Sequence, residues 1–271
     1  MKNNIQSYNL HSHTARCGHA KGTDEEYVLS AIEAGFKILG FSDHVFLPGA
    51  SEPRMRGNYE MLDEYLKSIG GLQEKYKDKI QIFKGFEAEW YGQRYEDYYK
   101  DLLNLKKIDY LILGQHCKME GNRFFGYGYF PDVDYARKEY TADLIAGMES
   151  GLFTYVCHPD LFVPWGPGFD ELAYHLTVAI CEAALRLDLP LEVNMGPSRY
   201  RHRFEEEDVD FEHIAYPNPR FWDIVGRYGC KVLFGVDAHA PAHYQQTHYD
   251  AFLRFAKERN LNLVKECPLK K

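Results

Sequence analysis

The chain has 271 residues, of which 45% are hydrophobic, and its formal net charge is -8 at pH 7. This hydrophobic fraction suffices for a sizeable core, whereas the acidic balance argues against a dedicated nucleic-acid binder, which would carry a basic surface. The first residues are polar, no apolar run could span a bilayer, and the cysteines lack C-x-x-C spacing, so we expect a cytoplasmic protein with no membrane partner.

Strand-like and helix-like segments alternate along the chain. Thr23 and Glu26 have the spacing of a capping box, which predicts a helix that begins there and ends at Gly35. The predicted strands are 7–11, 37–42, 80–87, 110–114, 153–157, 191–194 and 231–236. The later predicted helices are 59–76, 95–105, 135–149, 171–187, 219–228 and 243–259, and a long irregular loop follows the fourth strand.

This alternation predicts a parallel sheet that is built from βαβ units. Polar residues with ligand chemistry stand at the carboxyl ends of six of the seven predicted strands. An open sheet usually binds its ligand at one switch point, whereas a barrel gathers all its strand ends into one ring. We therefore predict an α/β protein with a (β/α)7 barrel, in one domain over residues 1–271, and a metal site at the carboxyl ends of the strands.

The first histidines carry the metal prediction. His11 and His13 form an H-x-H pair, and because a strand has a period of two, both side chains point the same way. His19 follows on the next loop, and Asp43 and His44 end the second strand. Asp43 is either a ligand or a carboxylate that orients an imidazole.

The later strands end in the same types of residue. Glu87 and Glu89 end the third strand and share a face, and one carboxylate is enough to bridge two metals. His116, His158, and Asp237 with His239 follow the fourth, fifth and seventh strands. Three cysteines that neighbour these positions are either soft metal ligands or small buried residues: Cys17, Cys117 and Cys157.

Taken together, these residues resemble the polymerase and histidinol phosphatase (PHP) family, and especially its histidinol-phosphatase branch. The resemblance is carried by the following motifs: His11-Ser12-His13, Cys17-Gly18-His19, Gly40-Phe41-Ser42-Asp43-His44, Gly85-x-Glu87, His116, His158 and Gly235-x-Asp237-x-His239. It implies a distorted barrel that holds three divalent metal ions of Zn, Fe or Mn. It also implies a phosphatase that releases L-histidinol from L-histidinol phosphate, in histidine biosynthesis, through a metal-bridging hydroxide.

The resemblance also implies residue roles. It implies a first metal on His11, His13, Glu87 and Asp237, a second on Glu87, His116 and His158, and a third on His19, His44 and His239. Glu87, Asp237 and His239 would be catalytic, with an Asp or His of the ligand shell as proton donor. Arg199, with Arg201 as its competitor, would bind the phosphate. Apart from the resemblance, the aromatic residues near the site, Trp90 among them, could form a wall beside a substrate ring.

The residues of two loops leave the identity of the substrate undecided. Met195-Gly196-Pro197 follows the sixth strand and Leu161-Phe162-Val163-Pro164-Trp165 follows His158, where the histidinol phosphatases tend to carry other residues. A different small phosphoester, such as a nucleotide, is therefore an alternative substrate. A catalytically silent metal-binding regulatory module is an alternative of another class. The sequence leaves the oligomeric state open.

Overall fold

The protein is described by a computed structural model that covers residues 6–201, 208–245 and 247–269, except the side chains of Tyr200 and Arg201. Its strands are β1 (Tyr8–Asn9), β2 (Ile38–His44), β3 (Gln81–Ala88), β4 (Tyr110–Leu113), β5 (Cys117–Glu120), β6 (Arg123–Gly126), β7 (Leu191–Asn194), β8 (Lys231–Gly235) and β9 (Asn262–Leu263). All except the antiparallel pair β5–β6 run parallel to their neighbours.

The helices alternate with these strands, as the sequence predicts. They are α1 (Asp24–Glu33), α2 (Leu62–Tyr76), α3 (Gln93–Asn104), α4 (Val133–Glu149), α5 (Glu171–Leu187), α6 (Ser198–Arg201), α7 (Pro219–Tyr228) and α8 (Tyr249–Glu258). The predicted capping box of α1 is confirmed, because Thr23 and Glu26 each bond to the backbone N–H of the other. Asp170 caps α5 by accepting a hydrogen bond from the N–H of Ala173 at 2.8 Å.

Single backbone bridges join the two parallel sheets into a ring. The order β1-β2-β3-β4 forms one sheet and β7-β8-β9 the other. Val156 bridges to Leu113 of β4 on one side and to Leu191 of β7 on the other. Ser12, beyond β1, bridges to Ala238, beyond β8. The predicted distorted (β/α)7 barrel is thus confirmed.

The ring is distorted where β8 meets β1, as it is at the isolated bridges of Val156. Side-chain amides supply three of the hydrogen bonds across this seam. Gln6 donates to the carbonyl of Phe234 at 2.6 Å and accepts from its N–H at 2.9 Å, and Asn9 accepts from the N–H of Val236 at 2.9 Å. At the other end of β8, β9 pairs with its first residues. Because β1 has two residues, the neighbouring strands β2 and β8 cannot pair with it along their whole length.

Two hydrophobic layers surround the strands. The larger one lies between the sheet and the helices, and it contains buried aromatic residues such as Phe41, Phe86 and Trp222. The smaller one fills the barrel interior, and its buried members are Tyr8, Leu10, Tyr110, Ile112, Tyr155, Cys157 and Leu233. Since apolar side chains fill part of the interior, the polar site is confined to the carboxyl ends of the strands.

Several predicted elements differ from the observed ones. The loop after the fourth strand contains the hairpin β5–β6, and the fifth strand is reduced to the bridges of Val156. The last helix begins at Tyr249 rather than residue 243, because the segment Pro241–Tyr244 forms a 3-10 turn. The short elements α6 and β9 carry too few residues for a periodic pattern. None of the described helices is long and apolar enough to cross a membrane. The single domain stays a prediction.

Candidate metal centre

The predicted ligands converge at the carboxyl ends of the parallel strands. His11 and His13 lie just beyond β1, where the N–H of His13 donates to the carbonyl of Ala238 at 2.9 Å across the seam. The ends of the later strands supply six more side chains. They are His44 from β2, Glu87 from β3, His116 from β4, His158 from the Val156 segment, and Asp237 and His239 from β8. His19 joins them from the loop before α1.

Glu87 occupies the centre of this cluster. Its Oε1 lies 2.8 Å from Nε2 of His158 and 3.5 Å from Nε2 of His116. Its Oε2 lies 3.1 Å from Nδ1 of His44 and 3.6 Å from Nε2 of His11. The two oxygens face different histidines, which is the arrangement that a carboxylate bridging two cations requires.

His11, His13 and Asp237 form a group beside Glu87. Nε2 of His13 lies 3.1 Å from Oδ1 of Asp237 and 3.3 Å from Nε2 of His11. Nε2 of His11 lies 3.5 Å from the same carboxylate oxygen. Oε2 of Glu87 lies 3.5 Å from Nε2 of His13, so this group and the Glu87 carboxylate could share one cation.

A third group lies at the edge of the cluster. Nε2 of His239 faces Nε2 of His19 at 3.0 Å, and the rings of His19 and His44 lie 5.5 Å apart. Ligand atoms of His44 and His239 lie within 4.8 Å of each other and of His13. The loop that carries His239 is supported by His243, whose Nδ1 accepts a hydrogen bond from the N–H of His239 at 3.1 Å.

The cluster is buried at Glu87 and opens toward solvent at the third group. Glu87 and His158 are almost fully buried, the side chain of His116 is 18% exposed, and His19 is exposed. Gly114 leaves the space that the Glu87 carboxylate fills, since a Cβ atom there would lie 2.0 Å from Oε1. Among the described residues, solvent therefore reaches the cluster at His19, His116 and His239.

Burial and neighbouring charges set the protonation of these groups. Burial raises the pKa of Glu87, but nearby histidines, His116 foremost, outweigh it and hold the pKa well below its usual range. Burial and the charge of His13 lower the pKa of His239 to about 3 and that of His44 well below its ordinary value. His44 and His239 are therefore neutral near pH 7 and keep a nitrogen lone pair for a cation.

The contacts within the cluster suit cations better than hydrogen bonds. Nδ1 of His44 is buried without a hydrogen-bond partner among the described residues, although it lies 3.1 Å from Oε2 of Glu87. The facing nitrogens of His19 and His239 are likewise both potential lone-pair donors. Imidazole nitrogens and carboxylate oxygens that converge in this way are the ligand set of zinc and similar divalent cations. The residues present therefore fit a divalent-cation centre.

Sequence reasoning missed Glu192, which supports this cluster from within the barrel. Its Oε2 and Oε1 lie 2.8 and 3.1 Å from Nδ1 of His11, and its Oε1 accepts from Nδ2 of Asn194 at 2.8 Å. The same amide group lies 3.3 Å from Oδ2 of Asp237. An acidic residue within a fully buried apolar strand was the signal that could have revealed it.

Glu89 has a different environment from Glu87. Its Oε1 lies 3.2 Å from Nδ1 of His116, and its carboxylate accepts from both terminal nitrogens of the buried Arg56, at 3.0 and 2.8 Å. Arg56 also contacts Glu52 at 2.8 Å. The geometry thus favours Glu87 as the bridge and leaves Glu89 to orient His116. Arg56 lies in a loop without periodicity, so no sequence pattern pointed to it.

Asp43 lies behind the histidines. Its Oδ1 lies 3.6 Å from Nδ1 of His13 and accepts from the N–H of His44 at 2.9 Å, while the hydroxyl of Thr14 donates to Oδ2. Among the two roles that the sequence allows, this position favours a carboxylate that orients an imidazole over a ligand.

The cysteines near the cluster divide into two kinds. The potential ligand groups that contain a thiol include Cys17 with His19 and His239, Cys17 with His13 and Asp43, and Cys157 with His11 and Glu87. Both roles therefore stay open for these two residues, although burial raises the pKa of Cys17 to about 12. The thiol of Cys117 instead contacts Oε1 of Glu52 at 3.4 Å.

The predicted substrate residues have different positions. Arg199 lies on α6, and its Nη2 donates to the carbonyl of Asp237 at 2.8 Å, so its guanidinium stands beside the cluster. The side chain of Arg201 lies outside the described residues. The ring of Trp90 packs edge-on against Phe153 at 6.5 Å, in the layer between sheet and helices, and the structure does not bring it to the cluster.

Tyr216 is a further residue at the site that the sequence did not reveal. Its ring lies 5.8 Å from that of His158. Its segment is held by Asp160, whose Oδ2 accepts from the N–H of Asn218 at 2.7 Å and from Nε1 of Trp222 at 3.0 Å. Burial is the largest cause that raises the pKa of Tyr216 well above its ordinary value. The phenol therefore keeps its proton and offers a hydrogen-bond donor beside the cluster.

Comparison with protein-family models places this arrangement in a known class. Residues 9–196 match the model of the PHP domain, a stretch that contains the predicted ligands from His11 to His158. Since the match covers well over half of the chain, the protein belongs to the PHP domain family. Asp237 and His239 lie beyond the matched stretch.

Individual relatives are similar over most of the chain. A probable histidinol-phosphatase of Deinococcus radiodurans is 27% identical over 237 residues, which are 85% of each protein. One of Schizosaccharomyces pombe is 27% identical over 255 residues, 85% of this chain and 80% of the relative. The structure of histidinol phosphate phosphatase from Lactococcus lactis subsp. lactis, complexed with zinc, L-histidinol and phosphate, superposes with a TM-score of 0.66 at 17% identity and covers 96% of this chain and 95% of that chain. This structural likeness shows a shared fold.

Proposed function

We propose that this protein is a metal-dependent phosphomonoesterase that hydrolyses L-histidinol phosphate to L-histidinol and phosphate. The observation that carries the proposal is the central position of Glu87, whose two oxygens face His158 and His44 on opposite sides of the cluster. The names of the Deinococcus and Schizosaccharomyces relatives and the ligands of the Lactococcus structure favour histidinol phosphate as the substrate.

The proposed centre holds three divalent ions of Zn, Fe or Mn. The ligand sets are His11, His13, Glu87 and Asp237; Glu87, His116 and His158; and His19, His44 and His239. The distances around Glu87 support the first two sets. Its Oε2 lies 3.6 Å from Nε2 of His11 in the first set, and its Oε1 lies 3.5 and 2.8 Å from Nε2 of His116 and His158 in the second. The facing nitrogens of His19 and His239 support the third.

Divalent cations held there would neutralise the phosphoryl oxygens and activate a water as the nucleophile. The protein's own residues would orient the substrate and move protons. Arg199 stands beside Asp237 and would bind phosphate oxygens through its guanidinium. Tyr216 would donate a hydrogen bond from its phenol. Asp237 would accept the proton of the attacking water on Oδ1 and return it to the leaving alkoxide.

Phosphate release after chelation and reloading tests this function. The protein is stripped of metal, supplied with Zn, Fe or Mn, and assayed with L-histidinol phosphate, a nucleoside monophosphate and p-nitrophenyl phosphate. We expect L-histidinol phosphate to have the highest kcat/KM and activity to vanish after chelation. The metal content of the same samples, measured by elemental analysis, should approach three ions per chain.

The alternative functions predict other outcomes. A higher kcat/KM for the nucleotide would assign the enzyme to another phosphoester. Bound metal without phosphate release from any substrate would favour the catalytically silent module. Glu87→Gln, which keeps the size of the side chain, is the control for trace contamination, because it should abolish the release that the centre produces.

A further inference from the structure

We propose that Glu192 is a positioning residue that orients two metal ligands at once, His11 by direct contact and Asp237 through the amide of Asn194. The inference rests on the proposed metal centre. It assigns a function to a buried acidic residue of β7 that contacts no substrate.

The direct contact fixes the tautomer of His11. Both carboxylate oxygens of Glu192 lie near Nδ1 of His11, at 2.8 and 3.1 Å. Since an ionised carboxylate only accepts hydrogen bonds, Nδ1 carries the proton and Nε2 is left for a cation. Nε2 is also the atom of His11 that faces Glu87 and Asp237, at 3.6 and 3.5 Å.

The second contact runs through Asn194. Its Nδ2 donates to Oε1 of Glu192 at 2.8 Å and to Oδ2 of Asp237 at 3.3 Å, while its Oδ1 accepts from the N–H of Gly196 at 2.7 Å. Because the oxygen is engaged by a backbone donor, the amide cannot flip without losing these contacts. Asn194, held by Glu192, therefore holds the carboxylate of Asp237 in place.

The buried charge of Glu192 is a second reason to assign this residue to the metal centre. Glu192 is fully buried, and within the described residues it forms no ion pair with Lys or Arg, whereas the equally buried Glu89 is paired with Arg56. A buried carboxylate needs a compensating charge. The carboxylate of Glu192 lies beside the imidazole of His11, so a cation bound to that imidazole would supply the compensating positive charge. Gly235 leaves room for the carboxylate of Glu192, since a Cβ atom at Gly235 would lie 2.1 Å from Oε2 of Glu192.

Metal retention by Glu192→Gln tests the inference without relying on activity. Residual metal is measured by elemental analysis after competition with a graded series of chelator concentrations. Thermal unfolding is recorded for the loaded and the metal-free protein. Loss of a residue that orients a metal-bound histidine typically weakens metal binding 10- to 100-fold. We expect such a loss in this variant, together with a smaller metal-dependent increase in Tm and altered d–d absorption of the cobalt(II)-loaded protein.

Asp170→Asn is the matched control. Asp170 pairs with the buried Arg137 on the outer helices and lies outside the cluster. Its loss should lower the Tm of the loaded and metal-free protein alike and leave the metal-dependent increase and the cobalt spectrum unchanged. Equal falls in both Tm values for Glu192→Gln, with metal retention unchanged, would show a structural role and overturn the inference.

The remaining outcomes separate this inference from the metal centre itself. Wild-type protein that retains no metal would overturn both. Wild-type protein that retains metal, together with a Glu192→Gln variant of equal affinity, would overturn only the role of Glu192. If Glu192→Gln does not fold, Asn194→Ala tests the second contact: we expect weaker retention than in the wild type, and unchanged retention would contradict the inference.

Discussion

Glu87 and Glu89 lie two residues apart at the end of β3, yet their carboxylates have different partners. Glu87 lies 2.8 Å from Nε2 of His158 within the histidine cluster, whereas Glu89 accepts two hydrogen bonds from the guanidinium of Arg56. A carboxylate that Arg56 already neutralises is a weaker candidate for a bridging ligand. The same two residues were equivalent by sequence spacing alone.

This difference predicts opposite consequences for two isosteric variants. Glu87→Gln should lose metal and phosphate release together, because an amide is a poor bridge between cations. Glu89→Gln should keep most of its metal and activity but lower the free energy of unfolding by about 1.5–3 kcal/mol, since Arg56 loses a charged hydrogen-bond partner. Elemental analysis, phosphate release and chemical denaturation measure the three quantities. Full metal occupancy in Glu87→Gln would reverse the two roles.

Arg199 offers a prediction about phosphate binding. Charge-assisted hydrogen bonds contribute about 1.5–3 kcal/mol, which corresponds to roughly one to two decades in kcat/KM. Arg199→Ala should lower kcat/KM by this amount and leave the metal content unchanged. Arg199→Lys should recover only part, because an ammonium group lacks the planar fork. Arg201→Ala is the neighbouring control. A normal Arg199→Ala beside a strongly impaired Arg201→Ala would move the phosphate contact to Arg201.

Tyr216 predicts a smaller effect on the substrate side. Tyr216→Phe keeps the ring that packs near His158 and removes only the hydroxyl. A neutral hydrogen bond is worth about 0.5–1.5 kcal/mol, so kcat/KM should fall roughly two- to tenfold at unchanged metal content. The highly exposed Tyr129 provides the control, since Tyr129→Phe should be silent. Steady-state kinetics on both variants check the prediction, and equal kinetics would remove Tyr216 from the substrate site.

Asp170 predicts a stability effect outside the site. Its hydrogen bonds with Arg137 lower its pKa from 3.8 to about 2. A lowered pKa contributes stability that is present above pH 3.8 and is lost as the pH falls toward 2. Asp170→Asn should therefore cost about 1–2 kcal/mol near pH 7, with allowance for the partial exposure of Asp170. The difference from the wild type should shrink between pH 4 and pH 2.

Chemical denaturation at several pH values measures this difference. Asp170→Asn keeps an oxygen that can cap α5, so the variant isolates the loss of charge. Asp188→Asn is the control, because its pair with Lys231 is exposed and should contribute little. A constant difference between wild type and Asp170→Asn across the pH range would contradict the assignment.

The supporting residues of the centre depend on contacts that the sequence pattern does not encode. Glu192 is separated from His11 by 181 positions, and it lies in a strand whose other residues are apolar or amide-bearing. Arg56 lies in an irregular loop, and Tyr216 lies in a segment that a hydrogen bond to Asp160 holds in place. Their neighbours are set by how distant segments pack, which periodicity and spacing cannot specify.

The sequence by itself determined the barrel class and the residues that meet at one end of it. It did so because strands and helices have distinct periods, parallel strands share one edge, and ligand-type residues such as His44 and Glu87 end those strands. Only the tertiary structure decided that Arg56 pairs with Glu89, that Glu192 supports His11, and that Trp90 packs away from the site. These outcomes follow from side-chain packing and charge compensation in the barrel interior, where each group's partner comes from a different strand.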